Sequence, residues 1–200
     1  PDVTLAVSPY GSSLERWMQR ARQAGHELLL QMPMEPFDYP DNDPGPHTLT
    51  TALPDEQNLD RLQMVLGMLT NYVGVINYMG GRFSAEEAKL GPVLRLLASR
   101  GVMYMDDGSS PRSVAEAAAR VAKVPFVRAD LVIDSTATEG GIDARLTQLE
   151  NLARSRGLAV GYASALPISI RKIGEWAKGL ESRGVVVVPV SAAAREGQSG

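Results

Sequence analysis

Short runs rich in Val, Ile and Leu recur along this chain, separated by stretches with helical spacing. That alternation restricts the chain to an α/β fold more firmly than any other feature. Seven such runs fall near residues 3–7, 27–32, 72–76, 102–105, 130–133, 158–161 and 185–189. They lack the strict apolar–polar alternation of a half-solvated sheet, so they read as strands of a parallel sheet buried on both faces. Between them, Leu59, Leu62, Leu66 and Leu69 share one helix face, as do Leu90, Val93, Leu94 and Leu97. Ile142, Leu146, Leu149 and Ala153 form the clearest stripe. Ser84-Ala85-Glu86-Glu87 has the spacing of a capping box. Ser110-Pro111 places a proline where a helix would start. Gly25, Gly101, Gly157 and Gly184 each stand where a helix closes and a strand begins.

Several runs end in a residue capable of chemistry. Met32 leads into Pro33-Met34-Glu35-Pro36, Ile76 into Asn77, Met105 into Asp106-Asp107, and Ile133 into Asp134. The run of valines at 185–188 leads into Pro189-Val190-Ser191. Ligands of parallel α/β folds bind outside the carboxyl ends of the strands. Glu35, Asn77, Asp106 and Asp134 are therefore expected to share one polar pocket. A closed ring gathers all of these ends, whereas an open sheet gathers only those near one switch point. The expected fold is thus a distorted, seven-stranded parallel (β/α) barrel. Residues 1–194 would form its single domain, with residues 195–200 as a frayed tail. Residues 37–51, with Pro40, Pro44 and Pro46 and no regular period, read as a long loop at the pocket wall.

Each candidate has a chemical and a structural reading. Prolines on both sides stiffen Glu35, which suits acid–base work or a hydrogen bond to a sugar hydroxyl, or else ties down the long loop. Asn77 can donate and accept, and Gly80-Gly81 beside it admits a ligand or a loop. Asp106 and Asp134 end their strands directly and read as a carboxylate pair whose roles can diverge. Asp107 and Ser135 read as helix caps. Tyr162 ends the sixth run and either walls the pocket, stacks on a sugar ring or packs beneath a loop. His26 stands at the amino end of its strand, where a local hydrogen bond is the simplest role.

Composition narrows the partners. The 200 residues carry a net charge of −3 without a basic run, which argues against nucleic acid or an anionic membrane as the main partner. Nowhere are there about 18 consecutive apolar residues, the minimum for a transmembrane helix. No signal peptide is visible, and the first residues already read as a strand. With zero cysteines, disulfides and thiolate metal sites are excluded. His26 and His47 are the whole histidine supply, too few for an ordinary hydrolytic zinc centre. An oxygen-ligated magnesium or calcium ion stays open.

Taken in order, several short motifs resemble the divergent polysaccharide deacetylases, a bacterial and mostly exported family. They are Thr4-Leu5-Ala6-Val7-Ser8-Pro9-Tyr10, Ala21-Arg22, Gly25-His26-Glu27, Pro33-Met34-Glu35-Pro36, Asp43-Pro44-Gly45-Pro46 and Gly74-Val75-Ile76-Asn77-Tyr78-Met79-Gly80. Asp106, Ser113-Val114-Ala115, Asp134 and Val188-Pro189-Val190-Ser191 complete the set. The resemblance implies a deacetylase-type barrel, a carbohydrate or envelope-glycan partner, and a periplasmic or exported location. It implies hydrolase-like chemistry on a carbohydrate amide or ester, with Asp106, Asp134 and Glu35 in catalytic positions. Asn77, Tyr78, Tyr162 and His26 would contact the substrate. It also brings in a divalent metal. Yet the family usually has histidine where this chain has Tyr78, and glycine-histidine-proline where it has Gly161-Tyr162-Ala163. The family also has an earlier strand ending in adjacent aspartates, and this chain starts after it. The alternative is a catalytically degenerate barrel that binds a glycan or an envelope protein. A metal-free glycosidase using two carboxylates is a third reading.

Overall fold

The computed structural model describes residues 3–11 and 13–196, with Arg195 and Glu196 described by backbone alone. Five parallel strands hydrogen-bond in chain order: β1 (Leu5–Val7), β2 (Leu28–Met34), β3 (Gly74–Met79), β4 (Met103–Asp106) and β5 (Phe126–Arg128). Between successive strands run α1 (Leu14–Gln23), α2 (Asp55–Met68), α3 (Glu87–Ser99) and α4 (Ala115–Ala122). A second sheet pairs β6 (Leu131–Val132) with β7 (Gly161–Tyr162), again in parallel. Around it lie α5 (Glu139–Arg156) and α6 (Pro167–Lys178), and α7 (Val190–Glu196) follows.

The lack of alternation in the strands has the cause expected of a sheet covered on both faces. Successive side chains point to opposite faces. Leu28, Leu30, Met32, Met34, Val75 and Tyr104 pack with Met18, Leu62, Val65 and the fully buried Leu90, Val93, Leu94 and Leu97 of α3. Leu29, Ile76, Met103, Met105, Val127 and Ala129 face the other way and meet Val190, Ala193 and Ala194 of α7. At about 1.5–3 kcal/mol per fully buried side chain, the four apolar residues of α3 make it a principal anchor of the first face. A third cluster, Ile133, Ile142, Leu146 and Leu149, lies beneath α5 and α6.

The two sheets are joined by one extended segment. The Ala129 amide donates to the Asp106 carbonyl at 2.9 Å, and the next amide, of Asp130, donates to the Val160 carbonyl at 2.8 Å. The chain thus leaves β4 and joins β7 within a single residue step.

Several expectations need correction. The strands form a five-stranded sheet and a separate pair, not a single seven-stranded ladder. Residues 185–189 belong to no strand. Val186 and Val188 are exposed, so the β-propensity of a valine run has no ladder to join here. Ser84 caps nothing. It is buried within a 3₁₀ turn, Phe83–Ala85, and its carbonyl accepts from the Val114 amide. Glu86 is the residue that precedes α3. Pro111 does not open a helix, because α4 starts at Ala115 after a turn. Of the expected tail, residues 195 and 196 complete α7, and residues 197–200 lie outside the described residues.

An acid-sensitive tie closes the α5–α6 side. The Arg183 and Arg154 guanidiniums, at 3.0 and 2.9 Å, lower the Glu150 carboxyl from its ordinary 4.5 to about 2. A depressed carboxyl stabilises the folded state above its unfolded value and loses that contribution as pH falls through the folded one. Thermal unfolding is therefore expected to show this contribution intact above pH 4.5 and vanishing toward pH 2. Carbon-detected NMR of Glu150 would report the low midpoint, and Arg183→Gln should move it upward.

Candidate functional site

Because every strand pair is parallel, Glu35, Asp106, Asp134 and Tyr162 stand at or just beyond carboxyl ends, and Asn77, inside β3, follows the last β3–β4 pair. What their side chains do there differs.

Glu35 is buried. One carboxylate oxygen accepts from the Thr51 amide at 2.5 Å, and the other lies 3.5 Å from Arg82 Nη1. Its backbone carbonyl accepts from both Arg82 and Phe83. Glu35 therefore pins the long loop to the turn after β3. Asn77 is also buried, donating to the Met79 carbonyl at 2.7 Å and accepting from the Asp107 amide at 2.9 Å. It stitches the end of β3 to the end of β4. Asn77→Ala would leave the buried Asp107 amide without its acceptor. A loss of about 1–3 kcal/mol is expected, measurable by urea unfolding.

The adjacent aspartates part company because a strand alternates. Asp106 continues the face of Tyr104, and its two oxygens accept from the Gly108 amide at 2.8 Å and from the Ser113 hydroxyl. It organises the turn leading to α4. Asp107 continues the opposite face of Met103 and Met105. Its Oδ1 accepts from the Ser109 amide and hydroxyl at 2.9 and 2.7 Å, and its Oδ2 has no protein donor among the described residues.

Asp134 is half-buried. Its Oδ2 accepts from the Ser164 amide and from the hydroxyl of the fully buried Ser169, both at 2.8 Å. Its Oδ1 has no protein donor among the described residues. Tyr162 packs in the same cluster as Met103 and Met105. Burial raises its phenol above the ordinary value, and the Asp107 and Asp134 carboxylates and the Tyr78 phenol push the same way. Asp107, Asp134 and Tyr78 thus lie within electrostatic range of Tyr162, and Tyr78 is exposed. Tyr162 stays protonated, and so a hydrogen-bond donor, throughout the neutral range. The fully buried Tyr104, on the other face of the sheet, is raised well above its ordinary value, by burial first and by Asp106 and Asp107 second.

His26 is elsewhere. Its Nδ1 lies 2.8 Å from the Val3 carbonyl, just before β2 and at the opposite end of the sheet from Glu35. A cavity of about 520 Å³ between α5 and α6 is likewise off the rim, and its carboxylates Asp143, Glu150 and Glu175 are already paired with Lys172 or Arg183. Asp107 is the rim residue that the sequence reading put in a capping role. The signal was present, since Met103, Met105 and Asp107 lie two apart and share a face.

The donors do not fit a divalent metal. Among the described residues no group of three His, Asp or Glu side chains is clustered to hold one. Glu35 and Asp106 have both oxygens engaged by loop groups, and phenols stand at Tyr78 and Tyr162, which are weaker ligands than imidazole.

An α/β domain with helices over a parallel sheet and polar groups at the strand ends defines the class. The sequence pattern of the family described as divergent polysaccharide deacetylase matches residues 1–194, and this chain belongs to that family. Over 173 residues it is 22% identical to the uncharacterized protein YibQ of Escherichia coli K12, covering 84% of this chain and 52% of that protein. It is 20% identical over 169 residues to an uncharacterized protein of Haemophilus influenzae, covering 84% of this chain and 60% of the other. The chain thus spans between half and three-fifths of the length of these relatives. The crystal structure of uncharacterized protein ATU2773 from Agrobacterium tumefaciens C58 superposes with a TM-score of 0.94 at 46% identity, over 96% of this chain and 78% of that one.

Proposed function

We propose that this domain recognises an acylated glycan of the bacterial envelope at the rim of Tyr78, Asp107, Asp134 and Tyr162. The observation that carries this reading is the place of the Tyr162 ring, packed in the cluster of Met103 and Met105 at the strand ends and within electrostatic range of the Asp107 and Asp134 carboxylates and the Tyr78 phenol. Carboxylate oxygens accept from sugar hydroxyls, a protonated phenol donates to an acyl carbonyl, and aromatic faces cover the apolar side of a pyranose ring. Family membership supports a carbohydrate-related role. Glu35, Asn77 and Asp106 act one step back, holding the loops that bear the rim. In the same reading the two sheets, joined through residues 128–131, are parts of one bent and distorted barrel wall. The envelope location follows from the family resemblance. No helix among the described residues is long and apolar enough to cross a membrane.

A second reading, hydrolysis at this rim, is favoured by one observation: Asp107 and Asp134 each keep one oxygen without a protein donor. Such a pair can supply a general acid and a general base. Calorimetry with N-acetylated chitotetraose, run beside an acetate-release assay, separates the readings. Binding without acetate release, weakened about tenfold in Asp107→Asn/Asp134→Asn, is the expected result. Acetate release abolished in that double variant would favour hydrolysis, and no binding to any envelope glycan would leave an envelope protein as the partner.

A further inference from the structure

The segments that follow Tyr78 and Asp107 carry a cluster that the glycan reading does not use. The Arg112 guanidinium sits over the Phe37 ring, 4.7 Å from its centroid. Phe37 belongs to the long loop and is itself 49% exposed. A Cβ on Gly81 would lie 3.2 Å from the Phe37 ring and 3.9 Å from Ser110 Oγ, so these three residues share one lip. Arg128 reaches the same place from the end of β5, its Nη2 donating to the Ser110 carbonyl at 3.3 Å. Arg82 follows Gly81 and lies against Glu35.

Arg112 and Arg128 thus reach this lip from two different segments, and Arg82 adjoins it in sequence. Arg82 has a carboxylate partner. Arg112 and Arg128 have none within 4.0 Å among the described residues. Asp106 is Arg128's register partner across β4 and β5, yet both its oxygens serve Gly108 and Ser113. Like charges gathered in a protein of net charge −3 repel one another unless an anion spans them. Guanidinium forks match the planar geometry of carboxylate and the oxygens of phosphate. Arg112 is preorganised by its seat on Phe37, which lowers the entropy lost on binding.

We propose that this lip, carried by Arg112 and Arg128, binds an anionic group on the ligand, so that the glycan at the rim is an acidic one. The inference rests on the rim being a glycan site. The carboxylate or phosphate would sit between Arg112 and Arg128 while neutral sugar units lie across Tyr78 and Tyr162. Arg82 stays with Glu35, whose buried carboxylate needs it.

Three probes test this by calorimetry at low and high salt: neutral N-acetylated chitotetraose, the same tetrasaccharide carrying a terminal 6-phosphate, and tetragalacturonate. Arg112→Gln/Arg128→Gln is the variant of choice, since both side chains are exposed and neither holds a buried charge. At least one charged probe is expected to bind about tenfold or more tightly than the neutral one, with the advantage shrinking as salt rises. The double variant should lose that advantage and keep its affinity for the neutral probe. Preference for tetragalacturonate would identify a carboxylate, and preference for the phosphorylated probe a phosphate. Equal binding of all three overturns the lip and leaves the glycan reading standing. Failure of all three to bind overturns both.

Discussion

Gly108→Ala is expected to lower stability by about 2–4 kcal/mol. Gly108 has φ +73°, where an L side chain is strained, and a Cβ there would meet the Ala129 carbonyl oxygen at 2.3 Å. The strain contributes about 1 kcal/mol and the overpacking about 1–3 kcal/mol. The turn cannot retreat easily. Gly108 donates to Asp106 Oδ1, and the Ala129 amide is bonded to the Asp106 carbonyl, so strand, turn and neighbouring strand are tied together. Gly157→Ala is the control, since its φ is +83° and a Cβ would meet nothing within 4 Å. Urea unfolding should place the control near 1 kcal/mol. Equal losses at the two positions would mean that contact with Ala129 adds nothing.

The second large effect concerns binding. Tyr162→Ala is expected to weaken the affinity for N-acetylated chitotetraose about 30-fold or more, the equivalent of losing one well-buried ring from the contact. Tyr162→Phe separates the roles of the ring and its hydroxyl. The ring packs against Met103, Met105 and Val127 in both proteins, so the fold is retained. The missing donor should cost about tenfold if the phenol reaches an acyl carbonyl. An unchanged affinity in Tyr162→Phe would assign the residue to stacking alone. An unchanged affinity in Tyr162→Ala would remove it from the site.

Much of the fold was legible because burial on both faces leaves a plain mark. The apolar runs of β2, β3 and β4, and the stripes of α3 and α5, could be read from spacing alone. β5 could not. It has three residues, follows Pro125 and ends in Arg128, and its place is set by pairing with Tyr104, Met105 and Asp106. The valines at 185–188 misled for the converse reason: strong strand propensity without a neighbour to pair with. At the site, the convergence of strand ends was readable, but the division of labour was not. Whether an aspartate faces a loop or a cleft depends on one residue of phase. Asp106 and Asp107 exchange roles once Tyr104 is seen to point toward α3 and Met105 toward α7. Tyr78 and Tyr162 were visible as substitutions for histidine, yet that Asp107 and Tyr78 act on the Tyr162 phenol depends on tertiary structure.

Isotope-labelled protein titrated with N-acetylated chitotetraose gives the most direct test of the rim. Backbone amide shifts should move at Tyr78, Asp107, Ser135 and Tyr162, saturate together, and leave His26 and the α5–α6 cavity unchanged. Perturbations confined to the His26 end or to the face of Trp176 would contradict a glycan site at the strand ends.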